Sequence, residues 1–132
     1  IKRAGGENYI FIKKDGLFCL ETTAKEVVFY EPKRPFVHTN HYLTDLVSKE
    51  EYRSESSVAR FNTATSLAPT INSVDDLKNI LSQPPIYRDN EKDLTIATAI
   101  VDLNKKIFHY RVNNSSGKIN LKRFFKINKH IR

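Results

Sequence analysis

Two short stretches hold the side chains best suited to chemistry. The first, Pro35-Phe36-Val37-His38-Thr39-Asn40-His41-Tyr42-Leu43, carries a short apolar run into a cluster of hydrogen-bonding groups. The second, Glu55-Ser56-Ser57-Val58-Ala59-Arg60-Phe61, begins twelve residues later and opens a helix with one arginine near its start. An asparagine amide just past an extended segment, as at Asn40, can donate to a developing oxyanion, and one such donor contributes roughly 3–4 kcal/mol. Arg60 carries a fixed charge that can lower a nearby thiol's pKa or hold an acyl carboxylate. The plainer readings are a loop asparagine bonding local backbone and a helix arginine in an ion pair. Together the two stretches resemble half of an active site, with no plausible nucleophile beside them.

Other chemistries fare worse. Cys19, His38 or His41, and Asp45 could be assembled into a thiol triad, but sequence spacing does not identify triads. Cys19 also sits inside Leu17-Phe18-Cys19-Leu20, where a small buried thiol is the ordinary outcome. Of the four histidines, 38, 41, 109 and 130, only His38 and His41 are close, and no further ligand stands at zinc spacing. No metal site is expected. Ala4-Gly5-Gly6 lacks the remainder of any nucleotide fingerprint, so no cofactor is expected either.

The elements that must position these residues follow from pattern. Residues 8 to 30 alternate in the manner of strands, with Lys14-Asp15-Gly16 and Thr22-Thr23-Ala24-Lys25 as breaks, which predicts a three-stranded antiparallel meander. Pro32 and Pro35 end it and deliver an extended chain to His38. A helix is predicted from Ser54, Ser56 or Ser57, with a stripe of Val58, Phe61, Ala64, Thr65 and Ala68, stopped by Pro69. Ser73-Val74-Asp75-Asp76 caps a second helix, with Val74, Leu77, Ile80 and Leu81 inward and Pro84-Pro85 as its end. A strand is predicted over 94–103, a second over 107–112 and a short last one after Gly117. Strands, two helices, then strands indicate an α+β fold with a mainly antiparallel sheet.

At 132 residues, 39% of them apolar and 11% aromatic, the chain is long and apolar enough for a folded core. Its net charge of +7 is spread among acids except in residues 122–132, expected to be a basic tail. That tail could contact nucleic acid or an anionic surface, or simply end the fold with solvated charges. One cysteine excludes an internal disulfide, and no apolar run approaches the ~18 residues of a membrane span. These features favour a cytoplasmic setting. Asn113-Asn114-Ser115-Ser116 holds two overlapping sequons and reads as a polar turn.

In order, His38-Thr39-Asn40-His41-Tyr42, Ser56-Ser57-Val58-Ala59-Arg60-Phe61, and the strands Thr95–Asp102 and Lys106–Arg111 resemble the N-terminal-nucleophile hydrolases. Ala4-Gly5-Gly6-Glu7-Asn8-Tyr9 and Leu20-Glu21-Thr22-Thr23 fit the same pattern. The nearest branch is the acyl-coenzyme A:6-aminopenicillanic acid acyltransferase group (peptidase family C45), and the choloylglycine hydrolase branch is similar. The resemblance covers residues 4–121 and implies part of a four-layer αββα sandwich. It also implies a cysteine nucleophile freed at an N-terminus by autoproteolysis, with the new α-amino group as base and an acyl-enzyme as intermediate. Asn40 would then help form the oxyanion hole and Arg60 would sit against the nucleophile. His38, Thr39 and His41 belong to the motif and would line the substrate.

This chain departs from that pattern. Ile1 cannot be the nucleophile, and Cys19 falls on a strand away from the catalytic terminus. The expectation is therefore the C-terminal part of an amidase or acyltransferase acting on linear C–N amides. Such a piece would be inactive alone, would pair with a missing N-terminal half, and could self-associate. The reading from another class is a stand-alone basic α+β module binding nucleic acid through 122–132.

Overall fold

The structure, a computed structural model, describes residues 7–13, 16–46, 54–90, 94–113 and 115–122. They belong to two compact units, Ile1–Pro69 and Thr70–Arg132. Each combines a three-stranded antiparallel sheet with a helix, so the α+β class expected from the order of elements is the one observed.

In the first unit β1 (Glu7–Ile12), β2 (Leu17–Thr22) and β3 (Val27–Tyr30) form the predicted meander, with Tyr9 opposite Leu20 and Leu20 opposite Phe29. Alternation along a strand sends successive side chains to opposite faces. One face therefore collects Tyr9, Phe11, Phe18 and Phe29, with Phe18 stacked on Phe29 at 5.6 Å. The other collects Cys19, Glu21 and Tyr30, and Cys19 and Glu21 are fully buried. After β3 the chain is extended and irregular up to α1 (Glu55–Leu67). Ser54 caps that helix, its hydroxyl accepting from the Ser57 N–H at 3.2 Å.

As expected, α1 ends ahead of Pro69, at Leu67, and the proline sits in a turn of 3-10 helix, Ala68–Thr70. The inward stripe of α1 differs from the expected pattern. The most buried residues are Ser57 and Ala68, while Thr65 is exposed, so the inward stripe runs through Ser57, Phe61, Ala64 and Ala68. Ser57 was not on the predicted stripe because its burial depends on hydrogen bonds, which hydrophobic periodicity cannot register.

In the second unit Ser73 caps α2 (Val74–Ile80) as expected, accepting from the Asp76 N–H at 3.0 Å. The Asp76 carboxylate reaches back to the Asn72 N–H at 3.0 Å, closing the cap from the other side. β4 (Ala97–Asp102), β5 (Ile107–Val112) and β6 (Ser115–Asn120) form the second meander. The strand expected over 94–103 is shorter, because Thr95 is occupied with Arg88. Its N–H meets the Arg88 carbonyl at 2.8 Å and its hydroxyl accepts the Arg88 N–H at 3.0 Å. The last strand begins before Gly117 rather than after it, and Gly117 lies opposite Tyr110. A Cβ there would stand 2.6 Å from the Tyr110 hydroxyl, so any other residue would have to push that ring aside. From residue 123 on, the basic stretch 122–132 lies outside the described residues.

Candidate active site

Glu21 organises the first unit. A lone carboxylate at an inward strand position is costly to bury unless its oxygens are saturated with donors. Here they are. Oε1 accepts from the Leu43 N–H at 2.7 Å and from His38 Nε2 at 2.8 Å, and Oε2 accepts from the Thr44 N–H at 2.9 Å and from the Thr44 hydroxyl. Burial pushes the Glu21 carboxyl upward, but the Leu43, Thr44 and His38 hydrogen bonds outweigh it and hold the group below the ordinary carboxylate range. His38 is fixed at both ends, because Nδ1 faces the Thr39 carbonyl while Nε2 faces Glu21. One strand carboxylate thus clamps the loop at residue 38 and again at 43–44, on either side of Asn40.

A second knot fastens the same loop to α1. The Thr39 hydroxyl donates to the Ser57 carbonyl at 3.1 Å, and the Ser57 hydroxyl donates to Thr39 Oγ1 at 3.0 Å. Ser57 Oγ then accepts from the His41 N–H at 3.1 Å and lies 2.9 Å from His41 Nδ1, which is also 3.1 Å from Thr39 Oγ1. The His41 ring, 3% exposed, meets Phe61 edge-on at 5.2 Å. Tyr42 anchors the loop to β2 by donating to the Thr22 carbonyl at 2.8 Å.

These two knots leave Asn40 exposed between them. Arg60, one turn along α1 from Ser57, donates through Nη2 to Asn40 Oδ1 at 2.8 Å. The carboxamide and guanidinium singled out in the sequence therefore meet across twenty residues of chain. A guanidinium has only donors, so its partner must be the amide oxygen, which sets which way the carboxamide faces. The Nδ2 group, with its two N–H donors, is left on the side away from Arg60. A held amide donor beside a fixed positive charge suits stabilisation of a developing oxyanion.

The other expected residues have different surroundings. His38, with 4% of its side chain exposed, Thr39 and His41 all spend polar atoms on the fold itself. Cys19 is a free, fully buried thiol on β2. Burial pushes it up, a Tyr30 hydrogen bond opposes that, and the Glu21 charge adds to the rise, so the sulfur stays a thiol rather than a thiolate. The Tyr30 hydroxyl, raised by burial and by its Cys19 and Glu21 neighbours, stays protonated. The groups that act on the Cys19 thiol are Tyr30, Glu21 and the Leu20 backbone.

Glu21, Ser57 and Tyr30 are the site-building residues that sequence reasoning did not select. For Glu21 a signal existed: an acid at the inward phase of Leu17-Phe18-Cys19-Leu20-Glu21, two places from a cysteine that pattern alone marks as buried. Among the described residues no group of three or more His, Cys, Asp or Glu side chains could hold a metal ion, and no helix is long and apolar enough to cross a membrane.

No curated protein and no solved structure matches the chain. The model of one protein family, described as acyl-coenzyme A:6-aminopenicillanic acid acyl-transferase, matches residues 1–116, a span that takes in the Glu21 clamp, the Asn40 loop and Arg60. With seven-eighths of its length inside that match, the chain belongs to the acyl-coenzyme A:6-aminopenicillanic acid acyl-transferase family.

Proposed function

We propose that this chain supplies the oxyanion-stabilising half of a cysteine N-terminal-nucleophile site that cleaves or forms linear C–N amide bonds. The observation that carries the reading is the 2.8 Å hydrogen bond from Arg60 to Asn40, in a loop clamped on both sides. A thiolate attacks an amide carbonyl, negative charge grows on the carbonyl oxygen, and the Asn40 amide donates to it. The amine then leaves, and water or a second amine takes the acyl group from sulfur. Arg60 keeps the carboxamide facing one way and adds positive charge near the thiolate. His38, Thr39 and His41 act here as positioning residues of the loop, since their polar atoms are already engaged within the fold.

The thiolate itself comes from outside these 132 residues, because their single cysteine is buried, protonated and remote in role from Asn40. The chain alone is accordingly inactive. A free buried thiol is in keeping with a reducing compartment, where we place the protein.

The test is reconstitution. The chain is assayed alone, and again joined to a segment bearing an N-terminal cysteine from a member of the same family, against a panel of acyl-amides. Turnover only in the joined protein, lost on Asn40→Ala, is the expected result. Turnover by the chain alone that alkylation of Cys19 abolishes would overturn the assignment.

A further inference from the structure

We infer that Ser57 is a positioning residue of the proposed oxyanion site, holding Asn40 at the angle from which its amide donates. The inference rests on the reading of Asn40 as that donor, and it adds the residue that aims its backbone as Arg60 aims its side chain. Ser57 is 1% exposed, so it acts through the loop and not on a substrate.

The geometry starts at the helix. Ser57 lies in the first turn of α1, where its N–H is held by the Ser54 carbonyl at 2.9 Å and the Ser54 hydroxyl at 3.2 Å. Residues three and four apart share a helix face, so Ser57, Arg60 and Phe61 are presented together. Their partners in the loop are consecutive. Ser57 Oγ donates to Thr39 Oγ1 at 3.0 Å and accepts the His41 N–H at 3.1 Å. Arg60 donates to Asn40 Oδ1 at 2.8 Å, and Phe61 meets the His41 ring edge-on at 5.2 Å. One turn of helix thus grips residues 39, 40 and 41 in order.

The His41 N–H belongs to the planar peptide unit that begins at the Asn40 carbonyl. A bond to it fixes the Asn40 backbone on its C-terminal side, and the Thr39 bonds fix it on the other. Arg60 by itself holds one atom of the carboxamide, about which the rest of the side chain can swing. With the backbone fixed as well, the direction of the Nδ2 group is set. Direction is what the chemistry needs, because a productive arrangement tolerates errors of only about 0.5 Å and 10–20°. Both Ser57 and His41 are shielded from water, so these bonds are not traded for solvent as surface bonds are.

The experiment has two arms. In the joined enzyme, kcat and KM are measured for Ser57→Ala, Asn40→Ala, the double variant and Ser73→Ala, which loses a helix cap in the other unit. Ser57→Ala is expected to lower kcat about tenfold or more with KM nearly unchanged, and to cost nothing further once Asn40 is alanine. Ser73→Ala leaves kcat unchanged. In the intact chain alone, NMR nitrogen relaxation reads the mobility of the Asn40 side-chain amide, which is expected to rise in Ser57→Ala. Thr39→Val removes the hydroxyl on the loop side of the same contact and is expected to give the same readings, so the inference is still tested if Ser57→Ala fails to fold. Three results would overturn the inference while leaving Asn40 the donor: an equal fall in kcat with and without Asn40, a fall matched by Ser73→Ala, or an Asn40 amide as rigid in Ser57→Ala as in the unaltered chain. Undiminished kcat in Asn40→Ala overturns the site reading itself, and this inference with it.

Discussion

Asn40 and Arg60 divide the proposed chemistry between a donor and the group that aims it. In the joined enzyme Asn40→Ala is expected to lower kcat by about 10²–10³-fold with little change in KM, the cost of one oxyanion donor. Arg60→Lys keeps the charge but loses the fork, so steady-state kinetics should show an intermediate loss in kcat. An unchanged kcat in either variant would remove that residue from the site. Glu21 gives a prediction of a different kind. Its folded carboxyl sits below the ordinary value of 4.5, so it contributes stability fully present above that value and lost as pH falls through the lower folded value. Melting temperature measured from pH 6 downward should therefore fall below about pH 4.5, and Glu21→Gln should flatten part of that slope. Because the variant replaces one acceptor oxygen with an amide that cannot accept the bonds around residues 38, 43 and 44, it should also cost about 1–3 kcal/mol, read by urea denaturation.

At the level of the elements, two helix serines, Ser73 and Ser57, differ in what they support. Ser73 serves a helix end alone, and Ser73→Ala should cost about 1 kcal/mol. Ser57 lies inside α1 and accepts or donates three side-chain hydrogen bonds that tie the loop to the helix, so Ser57→Ala should cost roughly 2–3 kcal/mol. Denaturant midpoints rank the pair, and equal costs would count against the loop–helix knot. This contrast marks what could be read from the chain by pattern. The meander of β1 to β3, the Ser73 cap and the pairing of β4 with β5 follow from alternation, turn residues and capping chemistry, all local. Asn40 and Arg60 were legible as residue types, but their contact was not, because twenty residues of loop and helix carry no periodic sign of where two side chains meet. Glu21 was harder still, since its role comes from donors at 38, 43 and 44 that are brought to it only by the folded loop. The start of β6 was misplaced because glycine ordinarily punctuates a strand, whereas Gly117 here makes room for Tyr110.

Across the whole molecule, burial is allocated unusually. Among the described residues the most buried side chains of the first unit are Glu21, Cys19 and Ser57, while Tyr9, Phe11 and Phe29 lie roughly half exposed on the opposite face of the sheet. A contiguous aromatic face of that kind favours association. Sedimentation of the isolated chain should show concentration-dependent dimers or larger species, and Phe11→Lys with Phe29→Lys should shift them to monomer. A compact wild-type monomer would argue that the face stays solvated. The polar interior has a further consequence for how the first unit breathes. The amides of His41, Leu43 and Thr44 belong to no helix or strand, yet each donates to a buried side chain rather than to water. In heavy water these three protons should persist as long as those of β2, and they should be lost together once the Glu21 carboxylate takes up a proton, so that an irregular stretch of backbone opens and closes as a single latch.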